Sequence, residues 1–217
     1  MQPLSRSQKD SLTAAAAAYE AQMDEPTRMY LKGRGLDADV VTQARLGHVT
    51  TPLNGHEYLL NRLVIPYIGP KDNVYNLRFR CMDHEDCKAE GCSSKYMSLP
   101  GYPSRIYNTR VIVNGGDELH VTEGELDAVT LGACGLSAVG IPGVENLPAH
   151  FSRLVAGFSS VCLWADGDKA GRDLANTFSK NVPSATLLIM GEGLDVNSVY
   201  VRDGREGIMN LLKERHS

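Results

Sequence analysis

The chain has 217 residues, of which 42% are hydrophobic and 22% charged, and its formal net charge is −4. This composition is that of a globular protein with one large domain or two small ones, and it excludes a strongly basic nucleic-acid coat protein. No apolar run is long enough to span a bilayer, and the N-terminus lacks the apolar stretch of a secretory signal, so we expect a cytoplasmic protein without a membrane partner.

Charge is divided unevenly along the chain. Residues 1–110 contain 14 Lys and Arg against 12 Asp and Glu, whereas residues 111–217 contain 8 against 14. An acidic half beside a mildly basic half suits a metal site next to an anion-binding surface. A random division of surface charge would give the same numbers.

The first part of the sequence predicts helices. An alanine run favours a helix over residues 8–23, and Pro26 is a typical first residue of a second helix. A third helix is expected in DADVVTQARLG, where Asp37 or Asp39 would cap its start and Gly47 would end it.

Two strands are predicted next. Asn61–Tyr67 and Asn73–Arg80 flank the turn sequence GPKD, which indicates a hairpin. Because side chains alternate between the two faces of a strand, Asn76, Arg78 and Arg80 should share one face of the second strand.

From about residue 111, strands alternate with helices. The predicted strands are Glu118–Thr122, Leu136–Val139, Ser160–Ala165 and Ala185–Met190. The predicted helices are Glu125–Cys134, Pro148–Val155, Ala170–Lys180, a short one from Asp195 and a last one from Glu206. This alternation implies an α/β fold with a mainly parallel sheet and helices on both faces. A boundary near residue 110 would divide the chain into domains 1–110 and 111–217.

Acidic side chains follow three of these strands. They are Glu123 and Asp127 after the first strand, Asp166 and Asp168 after the third, and Glu192, Asp195 and Asn197 after the fourth. Functional groups collect at the carboxyl ends of parallel strands. Two carboxylates separated by one glycine, as in ADGD, repel each other, and a cation would relieve that repulsion. Oxygen ligands without Cys or His indicate Mg²⁺ or Mn²⁺. The alternative is that these acids only cap helices. That explanation is weaker for acids at three strand ends than for acids at one.

The segments EGELDA and WADGDKAGRDLA resemble the TOPRIM domain, a metal-binding fold shared by primases, topoisomerases and several nucleases. Four blocks in the same order extend the resemblance to DnaG-type primases, particularly phage-encoded ones. These blocks are RMYLKGRGLDADVVTQARLGHV, NRLVIPYIGPKDNVYNLRFR, KYMSLPG and EGELDA. The resemblance implies an α+β N-terminal subdomain of helices and a basic β-hairpin, followed by a Rossmann-like TOPRIM domain and a C-terminal helix.

The resemblance also implies a function. DnaG-type primases are DNA-directed RNA polymerases that make short RNA primers on single-stranded DNA from ribonucleoside triphosphates. By this resemblance Glu123, Asp166 and Asp168 would be catalytic and hold Mg²⁺ or Mn²⁺, while Asp127 and Asp195 would support a second ion or the nucleotide. The residues expected to hold template or triphosphate are Arg62, Arg78, Arg80 and Lys95. A solvated hairpin face is the alternative for these basic residues.

An insertion before KYMSLPG contains a second group of candidate metal ligands. Cys81, His84, Cys87 and Cys92 form the pattern C-x2-H-x2-C-x4-C, which offers four ligands to a structural Zn²⁺. The spacing is unusual, and a surface loop with free thiols is the alternative.

Parts of a full replicative primase are not found in the sequence. There is no separate zinc-binding domain, no helicase-binding domain and no P-loop motif, so we expect a core that depends on a replicative helicase or on a separate template-selecting zinc-domain protein. Two alternatives remain: a TOPRIM nuclease that cleaves phosphodiesters with the same ions, and a non-catalytic accessory that binds single-stranded DNA. A topoisomerase fits less well, because it needs a strand-transfer tyrosine in a further domain.

Overall fold

The computed structural model describes residues 4–83, 87, 94–114, 116–142 and 151–214. The chain forms two compact units. The first unit comprises Met1–Gly33 and Asp37–Pro103, and the second comprises Arg34–Leu36 and Ser104–Ser217. None of the helices within the described residues is both long enough and apolar enough to cross a membrane.

Three helices open the first unit. They are α1 (Arg6–Glu20), α2 (Glu25–Gly33) and α3 (Ala38–Gln43). Ser5 and Gln8 form a reciprocal capping box at the start of α1, which satisfies backbone N–H groups that have no partner within the helix. Asp37 caps α3 by accepting a hydrogen bond from the Val40 N–H, so the first of the two predicted caps is the one used.

The end of α3 differs from the prediction. The helix stops at Gln43, and Arg45 adopts a positive φ of 53°. Gly47 therefore does not end the helix but begins the strand β1 (Gly47–His48). A Cβ atom on Gly47 would lie 2.6 Å from the Tyr19 carbonyl carbon, so glycine is required there by the close approach of β1 to α1.

The sheet of the first unit is antiparallel. Its order is β1, β2 (Arg62–Ile68), β3 (Val74–Cys81) and β4 (Tyr96–Ser98), and a 3-10 helix over Glu57–Leu59 precedes β2. The predicted hairpin corresponds to β2 and β3. Two short strands, β1 and β4, were not predicted, because two or three residues are too few to show a period.

The two faces of this sheet differ in chemistry. Val64 pairs with Phe79 across β2 and β3, and both belong to an apolar cluster with Leu12 and Tyr19 of α1. Cross-strand partners share a face, so the neighbouring pair of Leu63 and Arg80 lies on the opposite face. One face therefore forms the core with α1, and the other carries the basic side chains of β3.

The second unit has the predicted α/β architecture. Its elements are α4 (Arg110–Asn114), β5 (Glu118–Thr122), α5 (Glu125–Ala133), β6 (Ala138–Gly140), α6 (Phe151–Val155), β7 (Ser160–Ala165), α7 (Lys169–Asn181), β8 (Thr186–Ile189) and α8 (Val196–Glu214). All described strand pairs are parallel, in the order β6-β5-β7-β8. The predicted fold class and parallel sheet are confirmed. The short helix α4 was not predicted.

The last helix contains a break. Gly204, inside α8, has φ 64° and ψ −162°, which interrupts the helical backbone. The sequence predicts two helices in this region, and the two parts of α8 on either side of Gly204 correspond to them. The left-handed φ explains why glycine stands at the break.

The core of the second unit surrounds β5 and β7. Val121, Leu163 and Phe178 are fully buried in one apolar cluster. Strands buried on both faces read as continuous apolar runs, as the segment VCLWA of β7 does. The Trp164 indole N–H donates to His120 Nδ1 at 3.0 Å, so the largest buried side chain in the sheet keeps its polar group satisfied.

Glycine substitutions should test the packing between α7 and the end of β7. A Cβ atom on Gly171 would overlap the backbone of Asp166, whereas one on Gly132, exposed within α5, would meet nothing within 4 Å. We expect Gly171→Ala to lower the free energy of unfolding by about 1–3 kcal/mol. The control Gly132→Ala should raise it by about 0.5–1 kcal/mol, because alanine favours the helix. Urea unfolding measures both, and equal stabilities of the two variants would contradict this packing.

Candidate active site

Carboxylates gather at one edge of the parallel sheet. Strand β7 lies between β5 and β8, and the carboxyl ends of these three strands point the same way because all the pairings are parallel. We call the side chains that follow these ends the acidic edge: Glu123, Asp127, Asp166, Asp168 and Asp195.

Glycines allow the turns at this edge to pack closely. A Cβ atom on Gly167 would overlap the carbonyl oxygen of Gly191, and the Gly167 N–H donates to the Leu194 carbonyl at 2.9 Å. The turn after β7 therefore touches the turn after β8. A Cβ atom on Gly124 would overlap the carboxylate of Asp127, so glycine lets that carboxylate approach the turn after β5.

Two of the acids also cap helices. Asp168 Oδ1 accepts a hydrogen bond from the Gly171 N–H at 2.7 Å, and Asp195 Oδ1 accepts one from the Ser198 N–H at 2.7 Å. Each of these bonds fixes a carboxylate at a helix N-terminus, where negative charge is favourable. Capping and metal binding are therefore compatible here, because each cap bond uses one oxygen of its carboxylate.

The strongest electrostatic effect at the edge falls on Asp127. Burial, together with the negative charges of Asp195 and Asp166, raises the pKa of Asp127 to about 7. The Asn197 N–H, which donates to Asp127 Oδ1 at 3.2 Å, and the positive charge of Arg34 act in the opposite direction. Asp127 therefore lies close enough to two other carboxylates to be strongly disfavoured as an anion.

The pKa of Glu123 at the acidic edge is also raised. Burial and the negative charge of Asp168 raise the pKa of Glu123. The acids thus interact in two sets, Glu123 with Asp168 and Asp127 with Asp166 and Asp195. Glu192, which the sequence places beside them, is exposed in the turn after β8.

The donor chemistry of the acidic edge suits a hard cation. All its ligands are carboxylate oxygens, which Mg²⁺ and Mn²⁺ prefer, and the repulsion that raises the pKa of Asp127 is one that a cation would relieve. Within the described residues, however, no three His, Cys, Asp or Glu side chains are grouped closely enough to hold a metal ion. The acidic edge therefore offers ligands of the right type, but the described side chains do not converge on one ion position.

On the sheet of the first unit, Arg80 is held by two tyrosines. Its Nε donates to the Tyr30 hydroxyl at 2.9 Å and its Nη1 donates to the Tyr96 hydroxyl. The guanidinium of Arg78 lies 4.7 Å from the centre of the Tyr96 ring. Arg80 is only 9% exposed and pairs with no carboxylate among the described residues. A solvated surface arginine, the alternative considered for it, would be far more exposed.

Arg62 and Lys95 are placed differently from Arg78 and Arg80. Arg62 pairs with Cys81 in the β2–β3 register, which assigns it to the opposite face of the sheet from Arg80. It is 5% exposed and donates from Nη1 to the Ser94 carbonyl at 2.9 Å. Lys95 is exposed. The structure therefore brings Arg78 and Arg80 together and separates Arg62 from them.

The predicted zinc ligands are only partly covered by the structure. Cys81 and Cys87 are buried and form no disulfide. His84 and Cys92 lie outside the described residues. The zinc site stays a prediction.

Sequence reasoning missed three side chains that contact or influence these groups. Tyr30 and Tyr96 hold Arg80, and Arg34 offsets the charge on Asp127. Tyr96 could have been found from the sequence, since it lies in the block KYMSLPG. If this block forms a strand beside β3, Tyr96 is a possible cross-strand partner of Arg80. Tyr30 and Arg34 lie in the block RMYLKGRGLDADVVTQARLGHV, but their contacts with Arg80 and Asn197 span 50 and 163 positions, which no local pattern shows.

Comparisons with known proteins agree with this architecture. A Toprim-like family model matches residues 120–200. The gene 57 protein of Mycobacterium phage D29 is 37% identical over 154 residues, which cover 69% of this chain and 97% of that protein. The RNA polymerase domain of Mycobacterium tuberculosis primase DnaG matches 96% of this chain and 84% of its own, with a TM-score of 0.76 and 20% identity. The chain belongs to the family of the gene 57 protein of Mycobacterium phage D29, and it has the fold of DnaG primase catalytic cores.

Two further comparisons concern a DNA primase and a DnaG catalytic domain. The DNA primase of Pseudomonas putida is 24% identical over 254 residues, which cover 94% of this chain but 37% of that primase. The chain thus spans little more than a third of that relative's length. A DnaG primase catalytic domain bound to ssDNA matches 96% of this chain and 79% of its own, with a TM-score of 0.76 and 19% identity. The structural likenesses, at 19–20% identity, show the fold.

The raised pKa of Asp127 predicts a pH-dependent effect on stability. An acid whose pKa is higher in the folded chain stabilises the fold below its unfolded pKa of 3.8, and that stability is lost as the pH rises to about 7. We therefore expect Asp127→Asn to be more stable than the wild type by about 2 kcal/mol at pH 8 in EDTA, after allowance for partial exposure. At pH 5 the difference should shrink by more than half.

Urea unfolding at the two pH values measures this difference. Asp173→Asn makes the same chemical change at an exposed position of α7 and serves as the control, for which no pH-dependent gain is expected. Equal stabilities of Asp127→Asn and the wild type at pH 8 would show that the three carboxylates do not repel each other as described.

Proposed function

We propose that the chain is the polymerase core of a DNA primase that makes short RNA primers on a single-stranded DNA template during phage DNA replication. The similarity to the D29 gene 57 protein supports the phage setting. The observation that carries this proposal is the acidic edge, where carboxylates follow the ends of three adjacent parallel strands on a fold like that of the DnaG catalytic core. The reaction would be nucleotidyl transfer from ribonucleoside triphosphates.

The acids would act in two groups. Glu123, Asp166 and Asp168 would hold divalent ions, and Asp127 and Asp195 would support a second ion or the nucleotide. When bound, Mg²⁺ or Mn²⁺ would supply positive charge to the triphosphate and to the leaving pyrophosphate. The 3′-hydroxyl oxygen of the growing primer forms a bond to the α-phosphorus, the bond to pyrophosphate breaks, and the hydroxyl proton passes to solvent or to a carboxylate.

The basic side chains would hold the anionic substrates. Arg78 and Arg80 share a face with Tyr96 between them, and this arrangement offers both positive charge and an aromatic ring to single-stranded DNA. Lys95 is exposed and can contribute charge to template or triphosphate. Arg62 is included in the proposal with a smaller expected effect, because its guanidinium is buried and bound to the Ser94 carbonyl.

The proposal extends to partners and location. A replicative helicase or a separate template-selecting zinc-domain protein would act with this core, and the site of action would be the cytoplasm of the host in which the DNA is replicated. The similarity to a phage protein supports the phage setting, and the DnaG catalytic domain bound to ssDNA supports a single-stranded template.

Loss of the Arg80 charge should weaken binding to single-stranded DNA. Removing one phosphate contact lowers the slope of log affinity against log salt by about 0.7 for a single strand. We expect this change for Arg80→Gln, measured by fluorescence anisotropy with a mixed-sequence oligonucleotide at several salt concentrations. Tyr96→Phe removes the hydroxyl that accepts from Arg80 but keeps the ring, and it should lie between Arg80→Gln and the wild type.

Lys71→Gln is the matched control, since Lys71 is an exposed cation in the turn between β2 and β3. An equal loss of affinity in Lys71→Gln and Arg80→Gln would indicate general charge attraction rather than a site at Arg80.

Primer synthesis tests the proposed function directly. Labelled ribonucleotides, single-stranded DNA and Mg²⁺ or Mn²⁺ should yield short RNA products with the wild type. Asp166→Asn should reduce them by about 100-fold or more, because the ligand charge is lost. Asp173→Asn, on the exposed side of α7, should leave synthesis unchanged.

Two outcomes would contradict the primase proposal. Metal-dependent shortening of the DNA that is lost in Asp166→Asn would identify a Toprim nuclease. Binding of single-stranded DNA with neither synthesis nor cleavage, also in the presence of a replicative helicase, would identify a non-catalytic accessory.

A further inference from the structure

A short segment from the N-terminal part of the sequence belongs to the second unit. This segment, Arg34–Leu36, joins the second unit although the residues on either side of it belong to the first. Gly35 has φ +75°, and a Cβ atom there would lie 2.8 Å from the Tyr200 ring of α8. Leu36 is 1% exposed. The segment is therefore packed closely against the helix that follows the acidic edge.

Asn197 holds this segment through its side chain. Its Oδ1 accepts a hydrogen bond from Arg34 Nη1 at 2.9 Å, and its Nδ2 donates to the Arg34 carbonyl at 2.8 Å and to Thr130 Oγ1 at 3.2 Å. Its backbone N–H donates to Asp127 Oδ1 at 3.2 Å. Asn197 is 6% exposed, so one buried residue connects the Arg34 side chain and main chain to the acidic edge.

The hydrogen-bond partners require an amide at position 197. The Thr130 hydroxyl donates to the Leu126 carbonyl at 2.9 Å, so it can only accept from Asn197. The Arg34 carbonyl is likewise an acceptor, whereas the Arg34 guanidinium is only a donor. A side chain with one acceptor oxygen and a two-proton donor satisfies all three partners. Aspartate keeps the acceptor but loses both donor bonds, and alanine loses all three side-chain bonds.

A positively charged side chain held in place beside the acidic edge would help an anionic substrate to bind there. The carboxylates there repel the triphosphate of an incoming nucleotide, and a guanidinium held close by opposes that repulsion. An arginine that is already ordered loses less side-chain freedom when an anion binds. Asn197 restrains Arg34 at both its guanidinium and its carbonyl.

We propose that Asn197 is a positioning residue that fixes the Arg34 guanidinium at the acidic edge and so prepares the site for the triphosphate of a ribonucleotide. The inference rests on the proposed function, because it takes the triphosphate from that reaction. Asn197 acts through Arg34, and its side chain contributes nothing to triphosphate binding once Arg34 is removed.

A double-mutant cycle tests this dependence. The probe is a fluorescent ribonucleoside triphosphate titrated into the protein with Mg²⁺ and without template, so that no synthesis occurs. Asn197→Ala and Arg34→Ala should each raise its Kd by about tenfold, and the double variant should bind no more weakly than Arg34→Ala alone. The KM for ribonucleotides in primer synthesis should follow the same pattern.

Thr130→Val is the control for a merely structural role. It removes one acceptor from the same buried amide but leaves both contacts between Asn197 and Arg34, so it should lower the melting temperature without changing the Kd for triphosphate. Should Asn197→Ala fail to fold, the cycle is run with Asn197→Asp, which keeps an acceptor for Arg34 and is expected to bind the probe more tightly than Arg34→Ala.

The outcomes separate this inference from the proposed function. Primer synthesis by the wild type together with additive effects of the two substitutions would overturn the positioning role and leave the primase proposal standing. A wild type that binds the fluorescent triphosphate with the expected cycle but makes no primer would overturn the primase proposal and support the role of Asn197. An unchanged Kd in Arg34→Ala, or a Kd raised equally in Thr130→Val, would overturn the inference.

Discussion

Repulsion among carboxylates at one edge of a parallel sheet is the constraint on which the second unit depends. Burial and two neighbouring acids raise the pKa of Asp127 to about 7, which is an unfavourable arrangement for an isolated protein. The fold tolerates it through several local compensations. Backbone N–H groups at two helix starts bind Asp168 and Asp195, and the Arg34 charge lies near Asp127. Carboxylates that repel each other in this way are typical of a functional site, and a positively charged ligand would relieve their repulsion.

The first unit contains a buried positive charge, which is held by neutral groups. Arg80 is buried without a carboxylate partner among the described residues, and two tyrosine hydroxyls accept from its guanidinium. Neutral acceptors orient the cation without cancelling its charge, so it remains available to an anion. A carboxylate in the same place would neutralise it. The two units thus present unbalanced charge of opposite sign, each on a different sheet.

Local patterns in the sequence predicted the elements better than the contacts between them. Strand–helix alternation after residue 111 was sufficient for the parallel sheet, and the acids of ADGD follow β7 as expected. The predicted end of α3 at Gly47 was wrong. Glycine is needed at this position because Gly47 closely approaches Tyr19, and a tertiary contact of this kind leaves no local pattern in the sequence. Arg62 was grouped with Arg80 through the resemblance to primases, whereas the strand register places the two side chains on opposite faces. The bond between Arg34 and Asn197 joins residues 163 positions apart, which no periodicity can reveal.

The path of the Arg34–Leu36 segment has a consequence for how the chain reaches its folded state. This segment emerges early during synthesis, but its partner Asn197 lies near the end of the sequence. Contacts between such distant residues form late and slow folding, because a long loop must close first. The nascent chain would therefore hold its Arg34 segment unpaired until α8 is complete. A proteolytic fragment that begins at Ser104 would lack Arg34, so the Asn197 side chain would lose two of its three hydrogen bonds and keep only the one to Thr130.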